Sequence, residues 1–178
     1  TISERLIEGH NLKPGATLCA LGQFRSYNKL EGGRSRLMLT VFVRELLSAA
    51  PTANPNSIVL SGYICKQPIY RTTPFNREIA DLLLAVNRAY NKSDYIPCIA
   101  WGRNARFVQN LKVGDRVALS GRIQSREYVK KLSDTEQVTM TAYEVSVSKL
   151  AAFDEDENFD LDGEFNLYAA PASAHSVP

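Results

Sequence analysis

The stretch Asp94-Tyr95-Ile96-Pro97-Cys98-Ile99-Ala100-Trp101 decides the fold. Side chains along a strand alternate between two faces, so Ile96, Cys98 and Ala100 share one side while Tyr95, Pro97, Ile99 and Trp101 share the other. The first set is small and apolar, as a core requires. The second carries two aromatic rings about 20 Å apart at ~3.3 Å per residue. Residues 103–111 follow as a short helix with Ala105, Phe107, Val108 and Leu111 inward, stopped by Lys112-Val113-Gly114. Residues 116–128 alternate again, with Val117, Leu119, Gly121 and Ile123 on one side and Arg116, Ser120, Arg122, Gln124, Arg126 and Tyr128 on the other. Cations and a terminal tyrosine thus continue the aromatic face.

Upstream of that stretch, residues 57–65 read as a strand with Gly62 inside it, a position that marks a bulge or sharp coil in barrels. Residues 67–76, with Pro68 and Pro74, read as a loop or ragged hairpin end. Residues 78–88 form a second strand with Ala80, Leu82, Leu84 and Val86 toward a core, and residues 87–93 form a polar, basic hairpin tip. Downstream come a turn at Ser133-Asp134 and a strand over residues 137–149, with Tyr143, Val145 and Val147 in phase. Five strands with one helix between the third and fourth is the element order of an OB-fold.

The pattern occurs twice. Leu12-Lys13-Pro14-Gly15 matches Leu111-Lys112-Val113-Gly114 at an offset of 99, and the same offset pairs Gly22 with Gly121, Phe24 with Ile123 and Ser26 with Ser125. The first copy holds only later elements: a helical turn or two over residues 6–12, and strands over 17–24 and 36–44 joined by a loop with Gly32-Gly33. The expected architecture is therefore all-β with one short helix, a five-stranded OB-fold barrel preceded by a partial second OB-fold. Residues 1–50 form the partial unit, 51–56 a Pro-Thr-Ala-Asn-Pro linker, 57–150 the complete barrel and 151–178 an acidic disordered tail. The incomplete first copy, opening on Thr1, leads us to expect a cut through a longer reading frame.

Charge is divided as sharply as pattern. All 21 Lys and Arg lie before residue 151 with twelve of the 19 acidic residues, so residues 1–150 carry +9 and the tail carries −7. A basic body with an acidic tail suits a protein that holds a polyanion. The three cysteines, Cys19, Cys65 and Cys98, are odd in number and far apart, which fits reduced core thiols. No run of about 18 apolar residues is present to span a membrane, and no charged-then-apolar signal segment opens the chain, so a cytoplasmic location is expected. Neither a glycine-rich phosphate loop nor a Cys/His/carboxylate cluster with metal spacing occurs. We expect no catalytic residues, no metal, no cofactor and no enzyme activity.

Residues 57–150 carry, in order, Leu60-Ser61-Gly62-Tyr63-Ile64, Leu84-Ala85-Val86-Asn87-Arg88, 94–103, Leu111-Lys112-Val113-Gly114-Asp115 and Gly121-Arg122-Ile123-Gln124-Ser125-Arg126-Glu127-Tyr128. These segments give the unit a resemblance to the bacterial single-stranded DNA-binding protein family. It implies stacking of bases on Tyr90, Tyr95, Trp101 and Tyr128, work in replication, recombination and repair in the nucleoid-bearing cytoplasm, and association into a homo-oligomer. It also implies replication or repair partners for the acidic tail, although the end Ala174-His175-Ser176-Val177-Pro178 lacks the acidic-hydrophobic tip of such tails.

Single strands are held by stacking and by a basic track for phosphates. Arg71, Arg77, Arg88, Lys92, Arg103, Arg106, Arg122 and Arg126 interleave with the aromatics and are the candidates for that track. Tyr63 and Tyr143 are expected in the core or at the barrel edge, and Phe107 against the barrel bottom; Phe75 fits either role. The competing functions are an OB-fold primosome-type adaptor that offers the same surface to a protein, and a module for single-stranded RNA.

Overall fold

The computed structural model describes residues 1–8, 10, 12–47, 56–131, 133 and 136–153. The linker 51–55 and the tail beyond Phe153 lie outside the described residues. The elements are α1 (Glu4–Ile7), β1 (Cys19–Glu31), β2 (Arg34–Leu47), β3 (Ile58–Ile64), β4 (Ile69–Thr72), β5 (Glu78–Arg88), β6 (Lys92–Trp101), α2 (Arg103–Val108), β7 (Arg116–Lys131) and β8 (Gln137–Phe153). Strands β3 to β8 form one sheet in the order β3-β7-β8-β6-β5-β4, and a further β3–β5 pairing closes it into a barrel. All pairings are antiparallel except β6 with β8, which run parallel. This is the connectivity of an OB-fold.

The barrel forms because alternation fills its interior. Ile58, Leu60 and Ile64 of β3, Leu82 and Leu84 of β5, Ile96 and Cys98 of β6, Val117 and Leu119 of β7 and Val145 and Val147 of β8 make one buried cluster. Helix α2 plugs one end with Ala105 and Val108, and Leu111 follows them into the core. Phe107 stays exposed, contrary to expectation, because a helix of six residues offers only one narrow face to the barrel.

Closure requires two strands to approach more closely than a Cβ permits. A methyl group on Gly62 would strike the carbonyl oxygen of Ala85, and one on Gly121 would strike that of Ser146. At Gly62 strand β3 passes from pairing with β7 to pairing with β5, and at Gly121 the β7–β8 register shifts.

Strand lengths differ from the sequence reading at both arms. Strand β1 continues through residues 28–31 and turns at Gly32-Gly33, and β7 and β8 run on to Lys131 and Phe153. Residues 69–72, read as loop, add strand β4 on the edge of β5, where the Tyr70 hydroxyl donates to Glu78 Oε1 at 2.6 Å.

Strands β1 and β2 make a separate two-stranded sheet. Its register shift falls at Leu21/Gly22, and a Cβ on Gly22 would strike the carbonyl of Phe42 beside Val43, as one on Gly121 would strike that of Ser146 beside Val147. The repeat therefore extends to the hairpin partner strand. Phe24 and Leu39 pack against the barrel core and line one cavity with Thr40, Val41, Ile123 and Tyr143. Tyr143 has the inward parity expected of it, but it lies where the β7–β8 arm has left the barrel, so it is exposed. Replacing Gly62 or Gly121 with Ala should each lower stability by about 1–3 kcal/mol, the cost of overpacking. A lower urea midpoint at unchanged m would show it; unchanged midpoints would contradict the steric account.

Candidate nucleic-acid interface

The outer face of the barrel is read from its register, because directly paired residues point to the same side. One row runs Tyr63–Ala85–Tyr95 across β3, β5 and β6. A second runs Arg71–Ile79–Trp101 across β4, β5 and β6. Between them a row of five strands runs Ile69–Asp81–Ile99–Ser146–Arg122. Tyr95 and Trp101 are 43% and 37% exposed, enough ring to receive a flat partner while the rest is held by the sheet. Ile79 and Ile99 are buried beneath this face, which makes the floor between the rings apolar and firm.

Tyr63 lies on this outer face and not in the core, at 38% exposure. Its position was legible: Ile58, Leu60, Gly62 and Ile64 take the inward parity, which leaves Tyr63 outward. The small Ala85 between Tyr63 and Tyr95 leaves a slot between two rings whose strands are separated by about 10 Å, two strand spacings.

The other two aromatics stand on arms. Tyr90 tips the β5–β6 hairpin, 94% exposed, and both it and Asn91 hold left-handed backbone with φ of 63° and 54°. That conformation costs a tyrosine about 1–3 kcal/mol. Tyr128 lies on the β7–β8 arm opposite Met140, with the Arg126 guanidinium 5.8 Å from its ring centroid. Phe75 is fully in solvent at the turn before β5, next to exposed Arg77.

The cations divide into two groups. Arg88 Nε lies 2.9 Å from Asp94 Oδ2, Arg126 Nε lies 3.2 Å from Glu144 Oε2, and Arg71 Nε lies 2.9 Å from Asp81 Oδ2. Asp94 and Glu144 are buried, so Arg88 and Arg126 serve those carboxylates first. Arg106 leans on Glu78 at 3.4 Å. Arg77, Lys92, Arg103 and Arg122 are exposed around the rim. Gln124 Nε2 also donates to Glu144 Oε1 at 3.0 Å.

Asp94 does more than pair with Arg88. The Ser26 N–H of the first hairpin donates to Asp94 Oδ1 at 2.7 Å, and the Tyr95 N–H donates to Ser26 Oγ at 2.7 Å. This reciprocal clip fastens β1 beside Tyr95. No metal site accompanies it: among the described residues no group of three or more His, Cys, Asp or Glu could hold an ion, and no described helix is long and apolar enough to cross a membrane.

These features define an OB-fold protein with an aromatic and basic outer face. The family model for the single-strand binding protein family matches residues 55–152, and the chain belongs to that family. It is 40% identical over 80 residues to single-stranded DNA-binding protein 1 of Staphylococcus aureus (strain COL), covering 41% of this chain and 48% of that protein. It is 35% identical over 115 residues to single-stranded DNA-binding protein 2 of Listeria monocytogenes, covering 61% of this chain and 69% of that protein. The chain spans about half the length of most curated relatives it matches. The wild-type single-stranded DNA binding protein from Thermus aquaticus superposes with a TM-score of 0.68 over 90% of this chain and 71% of that one, at 18% identity. That likeness concerns the fold.

Beneath the site, burial and then the nearby Glu144 carboxylate push the Cys98 thiol well above its ordinary pKa. The thiolate is the reactive form, so in the native chain at pH 8 a disulfide reagent should modify the half-buried Cys19 and Cys65 and reach Cys98 only on unfolding. A third thiol reacting at the native rate would refute this.

Proposed function

We propose that the chain binds single-stranded DNA largely without sequence preference and performs no catalysis. The observation that carries this reading is the pair of cross-strand rows, Tyr63–Ala85–Tyr95 and Arg71–Ile79–Trp101, which expose rings and a cation on an apolar floor. Bases stack on Tyr95 and Trp101 in the barrel face, on Tyr63 beside them, and on Tyr90 and Tyr128 on the arms. Phosphates are neutralised by Arg77, Lys92, Arg103 and Arg122, with Arg71, Arg88 and Arg126 contributing what their carboxylates leave. Every base has a flat face, so stacking tolerates any sequence.

DNA is the ligand to expect because the relatives are named for it. From its membership of the family we further propose work in replication, recombination and repair in the cytoplasm, as a homo-oligomer whose acidic segment recruits protein partners. Residues 1–47 are, in this reading, the later part of a second barrel. The contacts of Thr1 support it: its amine donates to the Val41 carbonyl at 2.8 Å and its carbonyl accepts from Val43 N–H at 2.9 Å, laying the chain along β2 as the end of β6 lies along β8.

Trp101 is the single tryptophan, so titration with oligo(dT) reads the site directly. We expect quenching on binding, and an affinity whose logarithm falls with log salt at a slope of about −0.7 per phosphate neutralised. Tyr95→Ala and Tyr63→Ala should each weaken binding by about 1–3 kcal/mol, the worth of one stacked base. A chain that leaves Trp101 unquenched and ignores oligonucleotides at low salt, yet retains a protein ligand on this face, would be the adaptor instead.

A further inference from the structure

We infer that Ser26, supplied by the first hairpin, is a positioning residue for the single-strand face of the barrel, a reading that rests on the function proposed above. Its backbone and side chain bond to Asp94 and to Tyr95. It acts on a bound strand only through them.

The need for such a residue follows from the topology. Strand β6 pairs with β5 from Lys92 to Trp101, but with β8 only at Cys98 and Ile99. Before Cys98 its second edge therefore has no strand partner among the described residues. In an antiparallel ladder alternate residues turn their N–H away from the partner strand, and Tyr95 is one of these, because its N–H donates to Ser26 Oγ at 2.7 Å. The hairpin thus closes the edge of β6 at the residue that carries a ring onto the outer face. Left open, that N–H would be met by water.

Three features suit Ser26 to this place. First, its own N–H donates to Asp94 Oδ1 at 2.7 Å while its hydroxyl accepts from Tyr95, so one small residue serves two consecutive residues of β6 reciprocally. Second, Ser26 is buried, at 7% exposure, whereas Ser125, its counterpart in the repeat, is exposed. The burial comes from the clip and not from the strand pattern that the two serines share. Third, Arg88 does not substitute for it: the guanidinium Nε approaches Asp94 Oδ2 at 2.9 Å as a charge, without an aligned hydrogen bond. The directional hold on that carboxylate comes from the Ser26 N–H.

Tyr95 receives a base only when its ring stands out from the face in line with Tyr63 and Trp101. With Ser26 Oγ in place the backbone beneath that ring is fixed before a strand arrives; without it the segment is ordered on binding, and the ordering is subtracted from affinity. The first hairpin therefore tunes the barrel face through its backbone contacts, whether or not it meets the strand itself.

The test titrates oligo(dT) of about 8 nucleotides, within the span of one OB-fold, into the full chain with Trp101 fluorescence as the reporter. Ser26→Ala removes the acceptor and keeps the N–H, and its affinity should fall about three- to tenfold, the cost of ordering one side chain on binding. Made in the Tyr95→Ala background, the same substitution should change affinity by less than about twofold, because residues that act through one another are not additive. A hydroxyl that touched the strand directly, or that only supported the fold, would lower affinity equally in both backgrounds. Should Ser26→Ala fail to fold, Ser26→Thr and Ser26→Val decide, since both side chains favour a strand and differ by the hydroxyl. The Thr variant should bind about three- to tenfold more tightly than the Val variant, and the gap should close in Tyr95→Ala. An unaltered Ser26→Ala, equal losses in both backgrounds, or no gap between Thr and Val overturns the inference and leaves the barrel site standing. A parent chain that ignores the oligomer overturns both.

Discussion

One buried carboxylate holds together the parts that matter. Asp94 is 2% exposed, and an unpaired charge at such a depth would cost several kcal/mol. Its oxygens are met from two directions, by the Ser26 N–H of β1 and by the Arg88 guanidinium of β5. The same clip turns back through Ser26 Oγ to the Tyr95 N–H. The first hairpin, the root of the β5–β6 arm and the backbone of a candidate stacking residue are thus bound to one group. Loosening the hairpin would remove one of the two partners of that charge, which favours the hairpin lying against the barrel although the described residues share no strand pairing with it.

The aromatic face follows from how the barrel is filled. Aliphatic side chains occupy the inward parity of β3, β5 and β6, so Tyr63, Tyr95 and Trp101 on the opposite parity have nowhere to go but out. Their exposure is a result of the strand period and not of loop placement. Rings set on a sheet this way are held in orientation before any ligand arrives, and the entropy of arranging them is spent in folding.

Much of this was legible in the sequence, and what was not has physical causes. Strict alternation in residues 94–101 and 116–123 placed Tyr95, Trp101 and the barrel strands, and glycine spacing gave the repeat. Alternation in residues 58–64 also faced Tyr63 outward, yet a tyrosine among Ile, Val and Leu invites a core assignment on composition. Strand β4 was hidden because Pro68 and Pro74 flank an edge strand of only four residues, where prolines are tolerated. The arms of β1, β7 and β8 outran their predicted ends because a two-stranded arm in solvent has polar residues on both faces and loses its period. The Asp94–Ser26 clip joins residues 68 positions apart, and nothing local announces it.

The distribution of charge explains why the face is basic in effect although carboxylates lie within it. Asp81, Asp94 and Glu144 sit in or just under the surface where phosphates would run, and bare they would repel them. Each is matched by an arginine, Arg71, Arg88 and Arg126 respectively, within 3.2 Å. Those pairs are close to neutral, so the net field is set by the rim cations Arg77, Lys92, Arg103 and Arg122. The arrangement also removes most of the acceptors that could read base edges: the carboxylate oxygens are turned toward guanidinium, Gln124 and backbone N–H groups. A surface of rings and diffuse positive charge, with its directional acceptors already satisfied, has little means of telling one base from another. The indifference to sequence proposed for this chain would follow from the same ion pairs that allow acidic residues to lie beneath the candidate face.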